Sequence, residues 1–153
     1  MMKYTEMEVV FREIPDEITL AINISNCPIH CPDCHSKYLW RNIGTPLSIK
    51  EIEKNLNSAI TCICFMGGEP SEVAEFAKKL KKLYPDIKIG YYCGYDKCPE
   101  PIFNNIQYFD YIKIGPFIKE CGPLDCPTTN QRLYQIGKVD SGFIPYREIK
   151  LWK

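Results

Sequence analysis

Apolar residues along the chain form four short runs that predict β-strands. The runs "ITLAINI" (18–24) and "ITCICFM" (60–66) are almost continuously apolar and rich in Ile, which is typical of parallel strands buried on both faces. Weaker runs of the same kind follow at 87–93 ("IKIGYYC") and 111–115 ("YIKIG"). An α/β fold with a mostly parallel sheet is therefore predicted.

Two amphipathic segments between these runs predict the connecting helices. In "LSIKEIEKNLNSA" (47–59), Ser48 and Glu51 have the spacing of a capping box. The segment "SEVAEFAKKLKKLYP" (71–85) places apolar residues on one helical face and lysines on the other. In such strand–helix–strand units, the loops after the strands share one edge of the sheet. We therefore expect the loop after the first strand to face "MGGEP" (66–70), the loop after the second.

The size and charge of the chain narrow the functions to consider. Its 153 residues, of which 45% are hydrophobic, suffice for one core of ordinary size, so we expect a single domain over 1–153. The 19 basic and 19 acidic residues cancel, which argues against nucleic acid or an anionic membrane as a partner. The opening residues lack the apolar run of a signal peptide, and no run is long enough for a membrane span. The expected location is the cytoplasm.

Three cysteines crowd the loop after the first strand, in the stretch "NCPIHCPDCHS" (26–36). The chain has nine cysteines, and an odd number in the cytoplasm argues for reduced thiols, some of them on a metal. One alternative is structural zinc, with His30 or His35 as the fourth ligand. The other is an iron–sulfur cluster that the three cysteines hold, with one iron left open to a ligand.

The spacing Cys-x3-Cys-x2-Cys after a first strand resembles the signature of the radical S-adenosylmethionine enzymes, and "GGEP" (67–70) resembles the stretch that ends their second strand. The resemblance implies a partial (βα) barrel of that type. It also implies a catalytic 4Fe-4S cluster, at which S-adenosylmethionine is reductively cleaved. The implied cluster ligands are Cys27, Cys31 and Cys34.

The same resemblance implies a set of residues in contact with S-adenosylmethionine, namely Asp33, Cys34, His35, Gly67, Gly68 and Glu69. Glu69 can accept hydrogen bonds from the ammonium group of this ligand. The two glycines let the backbone approach the ligand without a Cβ in the way. Asp33 departs from the family, which often has an aromatic residue before the third cysteine.

Within that family the chain is similar, nearly end to end, to the activating enzymes of anaerobic ribonucleoside-triphosphate reductase. The similarity includes "YIKIGPF" (111–117) and "PTTNQRLYQI" (127–136), and residues 137–153 form a C-terminal extension. It implies a glycyl radical made on the reductase, with a low-potential electron donor as a further partner. The alternatives are activation of a different glycyl-radical enzyme, radical modification of another peptide, and, from another class, a zinc-binding interaction module.

The remaining cysteines and one lysine carry further expectations. Cys62 and Cys64 lie two positions apart on a predicted strand, so we expect small buried residues on one face. The echoing stretches "CGYDKCP" (93–99) and "CGPLDCP" (121–127) hold either independent thiols or a second metal site. Such a site would consist of Cys93, Cys98, Cys121 and Cys126. For Lys113 we favour an outward position on an edge strand over one that faces the cofactor.

Overall fold

The computed structural model shows an α/β fold built on one eight-stranded mixed sheet and a separate two-stranded sheet. It describes residues 2–32, 34, 36–139, 142–143 and 147–151. The strands are β1 (Lys3–Val10), β2 (Thr19–Ile24), β3 (Thr45–Pro46), β4 (Cys62–Met66), β5 (Lys88–Tyr92), β6 (Tyr111–Ile114), β7 (Arg132–Gln135), β8 (Lys138–Val139), β9 (Gly142–Phe143) and β10 (Arg147–Ile149). The helices are α1 (Ile49–Asn55), α2 (Pro70–Leu83) and α3 (Glu100–Phe103), with 3-10 turns at Lys37–Trp40 and Ile106–Tyr108.

The four strands predicted from apolar runs form the parallel centre of the large sheet. They lie in the order β2, β4, β5, β6, and every neighbouring pair among them is parallel. Their registers pair Thr19 with Cys62 and Cys62 with Lys88, so the carboxyl ends of these strands share one edge. The predicted α/β class and its parallel strands are therefore confirmed.

Antiparallel strands on both sides make the sheet less parallel than the sequence predicts. β1 pairs with β2 and β3, while β7 pairs with β6 and β10, all antiparallel. Within the described ranges these four pairs outnumber the three parallel ones, so the sheet is mixed rather than mostly parallel. The outer strands escaped prediction because strands near an edge need not be apolar on both faces. The strand order does not show whether the sheet curves into a partial barrel, so the barrel stays a prediction.

Two apolar clusters lie on opposite faces of the sheet. The larger includes Ile63 and Phe65 of β4, which pack with Leu80 and other residues of α2. The smaller includes Cys62 and Cys64, the alternate residues of the same strand. Both sulfurs are fully buried, which confirms the prediction for these two cysteines.

The two predicted helices are present, with one change at the first. Ser48 Oγ accepts a hydrogen bond from the Glu51 N–H at 3.2 Å and so caps α1. The Glu51 carboxylate does not return the bond, because it accepts from the Tyr4 hydroxyl at 2.6 Å and from Lys54 Nζ at 2.8 Å. None of the helices within the described residues has the length and apolar character that a bilayer crossing requires.

The predicted C-terminal extension, 137–153, lies partly outside the described residues. Within it, β8 pairs with β9 in the small sheet. β10 joins the large sheet beside β7, so part of the extension belongs to the main sheet.

Candidate metal centre

The cysteine loop and the end of β4 line one cavity of about 250 Å³. Cys27, Cys31 and Cys34 contribute from the loop, and Met66 and Gly67 from the end of β4. The other parallel strands contribute through Ile24, Tyr92, Cys93 and Lys113. The expectation that the loops after the first two strands face each other is confirmed.

Backbone hydrogen bonds close the cysteine loop at its base. The Asn26 N–H donates to the Arg41 carbonyl and the Cys27 N–H to the Leu39 carbonyl, both at 2.9 Å. Just before them, Ser25 Oγ donates to a further backbone carbonyl at 2.6 Å. The protein's own backbone therefore holds both ends of this loop together.

The three loop cysteines are half-buried free thiols. The Cys34 N–H donates to the Cys31 carbonyl at 3.0 Å, and the Ser36 N–H donates to Cys34 Sγ at 3.3 Å. The backbone of the loop itself therefore positions the Cys34 side chain.

The arrangement of these thiols bears on the two kinds of metal site. Among the described residues, no three Cys, His, Asp or Glu side chains converge to hold one metal ion. Zinc needs such convergence, with ligand atoms about 2.0 to 2.3 Å from a single ion. In a 4Fe-4S cluster each cysteine binds a different iron, so the sulfurs surround the cluster instead. The three thiols line one cavity, an arrangement that fits a cluster. His35, a candidate zinc ligand, lies outside the described residues, so the zinc alternative stays open.

One of the two histidines of the loop, His30, makes an aromatic contact. The His30 ring stacks on the Trp40 indole, with centroids 4.7 Å apart and planes inclined by 8°. Lys37 Nζ lies 5.6 Å from the centre of the same indole. His30 therefore packs within the loop and is not gathered with the cysteines. Asp33 and His35, two predicted contacts of S-adenosylmethionine, lie outside the described residues.

The two glycines after β4 differ in their position relative to the cavity. Gly67 lines the cavity and Gly68 is buried, and their φ angles are +89° and +101°. A Cβ on Gly68 would lie 3.1 Å from side-chain atoms of Ile24, Met2 and Val73. Only Gly67 is therefore brought directly to the cysteines, while Gly68 permits close packing behind it.

Glu69 caps helix α2 and is not among the residues that line the cavity. Its Oε2 accepts a hydrogen bond from the Glu72 N–H at 3.0 Å and another from the Ser71 hydroxyl. Partial burial acts to raise the pKa of the Glu69 carboxyl, but these hydrogen bonds outweigh it and the pKa is lowered. A contact between Glu69 and a ligand stays a prediction.

Lys113 lies inside the protein, so the favoured outward position on an edge strand was wrong. β6 has β5 on one side and β7 on the other, and Lys113 is only 9% exposed. Its Nζ donates to the Gly115 carbonyl at 3.0 Å and lies 5.8 Å from the centre of the Tyr92 ring. Burial lowers the pKa of Lys113, an effect that nearby thiols such as Cys93 and Cys31 oppose.

The four later cysteines do not form a second metal site in the structure. All four are described, and no three of them are grouped to hold a metal ion. Cys121 and Cys126 lie in the loop before β7, whereas Cys98 packs at the border of the larger core. Cys93 instead lines the cavity of the loop cysteines and is 4% exposed, and burial raises its pKa to about 11.

Cys93, Trp40 and Gln131 are among the cavity-lining residues that sequence reasoning did not assign to this site. Cys93 follows an apolar strand directly, a position at the functional edge that could have identified it. Gln131 lies in "PTTNQRLYQI" (127–136), a stretch that contributed only to the family resemblance. For Trp40 the sequence offers no signal, because its place depends on how the loop closes.

A comparison with protein families identifies the kind of domain to which these features belong. A family model described as a 4Fe-4S single cluster domain matches residues 18–120. The matched range covers more than half of the chain and contains the three loop cysteines and Gly67. Neither the curated proteins nor the solved structures gave a match.

Proposed function

Because the chain belongs to the family of 4Fe-4S single cluster domains, we propose that it is a radical S-adenosylmethionine enzyme. Its proposed activity is the generation of a glycyl radical on anaerobic ribonucleoside-triphosphate reductase. The observation that carries the proposal is the cavity in which three loop cysteines meet Gly67. Three thiolates on a four-iron cluster leave one iron free for a ligand.

Residues of this chain would hold the cluster and orient the ligand. Cys27, Cys31 and Cys34 are the proposed cluster ligands. A reduced cluster there would supply the one electron needed to cleave a carbon–sulfur bond of S-adenosylmethionine, which would give methionine and a 5′-deoxyadenosyl radical. The backbone at Gly67 lies open to the same cavity. That position suits recognition of the methionine part of the ligand.

Access for a protein substrate is supported by a second, larger cavity of about 580 Å³. Phe11, Arg12 and Leu124 are among its walls, and Phe11 is 66% exposed. Tyr92 lines both this cavity and the cysteine cavity, and its hydroxyl donates to the Glu13 carbonyl. An open space beside the proposed cluster suits a peptide loop of a partner, from which the radical would take a glycine hydrogen.

The test is an anaerobic reconstitution with iron and sulfide. Dithionite replaces the proposed low-potential electron donor, and 5′-deoxyadenosine is measured with and without an anaerobic ribonucleotide reductase. We expect 5′-deoxyadenosine together with a glycyl-radical doublet in the EPR spectrum of the reductase. A reductase whose radical glycine is replaced by alanine serves as the matched control and should give no doublet.

The remaining outcomes separate the alternatives. Formation of 5′-deoxyadenosine without the doublet would retain the radical enzyme and reject this partner, leaving another glycyl-radical enzyme or a different peptide as substrate. A colourless protein that retains zinc and assembles no cluster would reject the proposal in favour of a zinc-binding module.

A further inference from the structure

The wall of the cysteine cavity contains a fourth thiol, which comes from outside the cysteine loop. Cys93 follows strand β5 and lines the same cavity as the three loop cysteines. It is 4% exposed. Because 4Fe-4S clusters are commonly held by four cysteines, one for each iron, the fold brings to this cavity the number of thiols that such a cluster can bind.

Backbone hydrogen bonds fix Cys93 at the end of β5. Its N–H donates to the Lys113 carbonyl at 3.0 Å. The Gly67 N–H donates to the carbonyl of the preceding residue, Tyr92, at 2.8 Å. These bonds connect the segment to β6 on one side and to the end of β4 on the other. The protein therefore holds Cys93 in place through its own backbone.

The residue after Cys93 packs directly against the cysteine loop. A Cβ on Gly94 would lie 2.9 Å from a side-chain carbon of Ile29, a residue inside that loop. Glycine at this position thus lets the loop approach the end of β5. Burial raises the pKa of the Cys93 thiol to about 11, and a negative charge on Cys27 acts in the same direction. The two thiols are therefore electrostatic neighbours.

A packing role is the alternative for Cys93, because it also belongs to the larger apolar cluster. Cys62 and Cys64 have such a role on the other face of the sheet. Neither of them lines the cysteine cavity. Cys93 differs from both because it lines this cavity and adjoins the residue that contacts the loop.

We propose that Cys93 is the fourth thiolate ligand of a 4Fe-4S cluster at this site whenever no other ligand occupies the fourth iron. The Cys93 thiol loses its proton to solvent and its sulfur replaces water on that iron, so no electron is transferred. When S-adenosylmethionine binds, its amino and carboxylate groups take this position, and the released thiolate regains a proton. The inference rests on the proposed function for the identity of this displacing ligand.

The first experiment measures how firmly the fourth iron is held. Reconstituted wild type, Cys93→Ala and Cys98→Ser are oxidised anaerobically with ferricyanide, without S-adenosylmethionine. Iron analysis and the EPR signal of a three-iron cluster follow the loss. Cys98 is in the same connection but is not among the residues that line the cavity, so its variant is the matched control for the loss of a thiol. We expect Cys93→Ala to lose one iron per chain, while the other two proteins keep it.

The second experiment measures the affinity of the same three holoproteins for S-adenosylmethionine. A thiolate that must be displaced weakens apparent binding in proportion to the fraction of protein that remains open. If about nine tenths of the wild type is closed by Cys93, Cys93→Ala binds about tenfold more tightly, and Cys98→Ser matches the wild type. A residue that only packs in the core gives no such tightening.

Cys93→Ser replaces Cys93→Ala in both experiments if the circular dichroism spectrum shows that the alanine variant does not fold. Serine keeps the size of the side chain, but its hydroxyl is a poor substitute for a thiolate on iron. Equal iron loss in the wild type and the Cys93 variant, or equal affinities, overturns the inference, while continued cleavage of S-adenosylmethionine would leave the proposed function intact. A fourth iron held only when Cys93 is present, in a protein that never binds S-adenosylmethionine, supports the ligand and ends the proposed function.

Discussion

Two lysines at opposite edges of the same sheet, the partly exposed Lys88 and the buried Lys113, have different partners. At the edge formed by the amino ends of the parallel strands (the amino edge), Lys88 Nζ pairs with the Glu17 carboxylate at 2.7 Å. Glu17 also accepts from the Thr61 hydroxyl at 2.6 Å and the Tyr111 hydroxyl at 3.1 Å. At the edge formed by the carboxyl ends of these strands (the carboxyl edge), Lys113 Nζ contacts a backbone carbonyl and an aromatic ring. No carboxylate within the described residues pairs with it.

The difference indicates which charged groups find partners within the protein and which ones a bound cluster or ligand would have to satisfy. The network around Glu17 connects the segment before β2 to β5 and β6, and its charges are satisfied internally. The cavity at the other edge collects thiols and a cation, for which the proposed cluster and its ligand would supply partners. Changes at the amino edge should therefore affect unfolding, and changes at the carboxyl edge should affect binding.

The largest effect is expected for Cys31→Ala, which should abolish cluster assembly. The variant lacks one of the three proposed ligands, while the backbone bonds that close the loop at Asn26 and Cys27 remain. We expect iron and sulfide contents near zero and no cleavage of S-adenosylmethionine, with an unchanged circular dichroism spectrum.

The matched control for that variant is Cys62→Ala, at the amino end of β4 and so at the amino edge of the sheet. Cys62 is fully buried away from the cavity and burial raises its pKa to about 12, so it serves as a packing residue. Its loss should lower the free energy of unfolding by about 1 kcal/mol and leave the iron content unchanged. Full iron content in Cys31→Ala would contradict the ligand assignment.

Glu17→Ala should give the largest loss of stability among these substitutions. It removes the carboxylate that holds Lys88, Thr61 and Tyr111, and we expect the free energy of unfolding to fall by about 2 to 3 kcal/mol in urea. Glu75→Ala, an exposed change on α2, is the control. Unchanged stability, or an altered affinity for S-adenosylmethionine, would contradict the expectation that the amino edge affects unfolding and the carboxyl edge affects binding.

The smallest effects on stability concern the two helix caps, Glu69 at α2 and Ser48 at α1. Replacement of either by alanine removes one acceptor for the first turn, which should cost about 1 kcal/mol of stability. Only Glu69→Ala should also weaken S-adenosylmethionine binding, by about 10- to 100-fold if its carboxylate meets the ligand. Equal affinities in the two variants would make Glu69 a cap alone.

The centre of the sheet could be predicted because each of its strands is covered on both faces. Strands such as "ITCICFM" must then be apolar throughout, and a continuous apolar run is easily recognised. β1, with the sequence "KYTEMEVV", mixes charged and apolar residues near the edge of the sheet. Its pattern did not distinguish it from a polar connection.

The position of Lys113 could not be predicted from its own strand. Its burial depends on β7, about twenty residues later, which pairs with β6 and removes it from the edge. The cap formed by Glu69 was hidden for another reason. Its carboxylate suits both a ligand and a helix N-terminus, and only the position of Ser71 and Glu72 shows which contact is made by the protein itself.

The closed base of the cysteine loop has a consequence for how the protein matures. The bonds that join Asn26 to Arg41 and Cys27 to Leu39 contain no metal, so the chain can finish folding before iron arrives. On the proposed function, cluster delivery would be a late step on a finished scaffold, and a cell short of iron would accumulate an intact precursor that can be loaded when the supply returns.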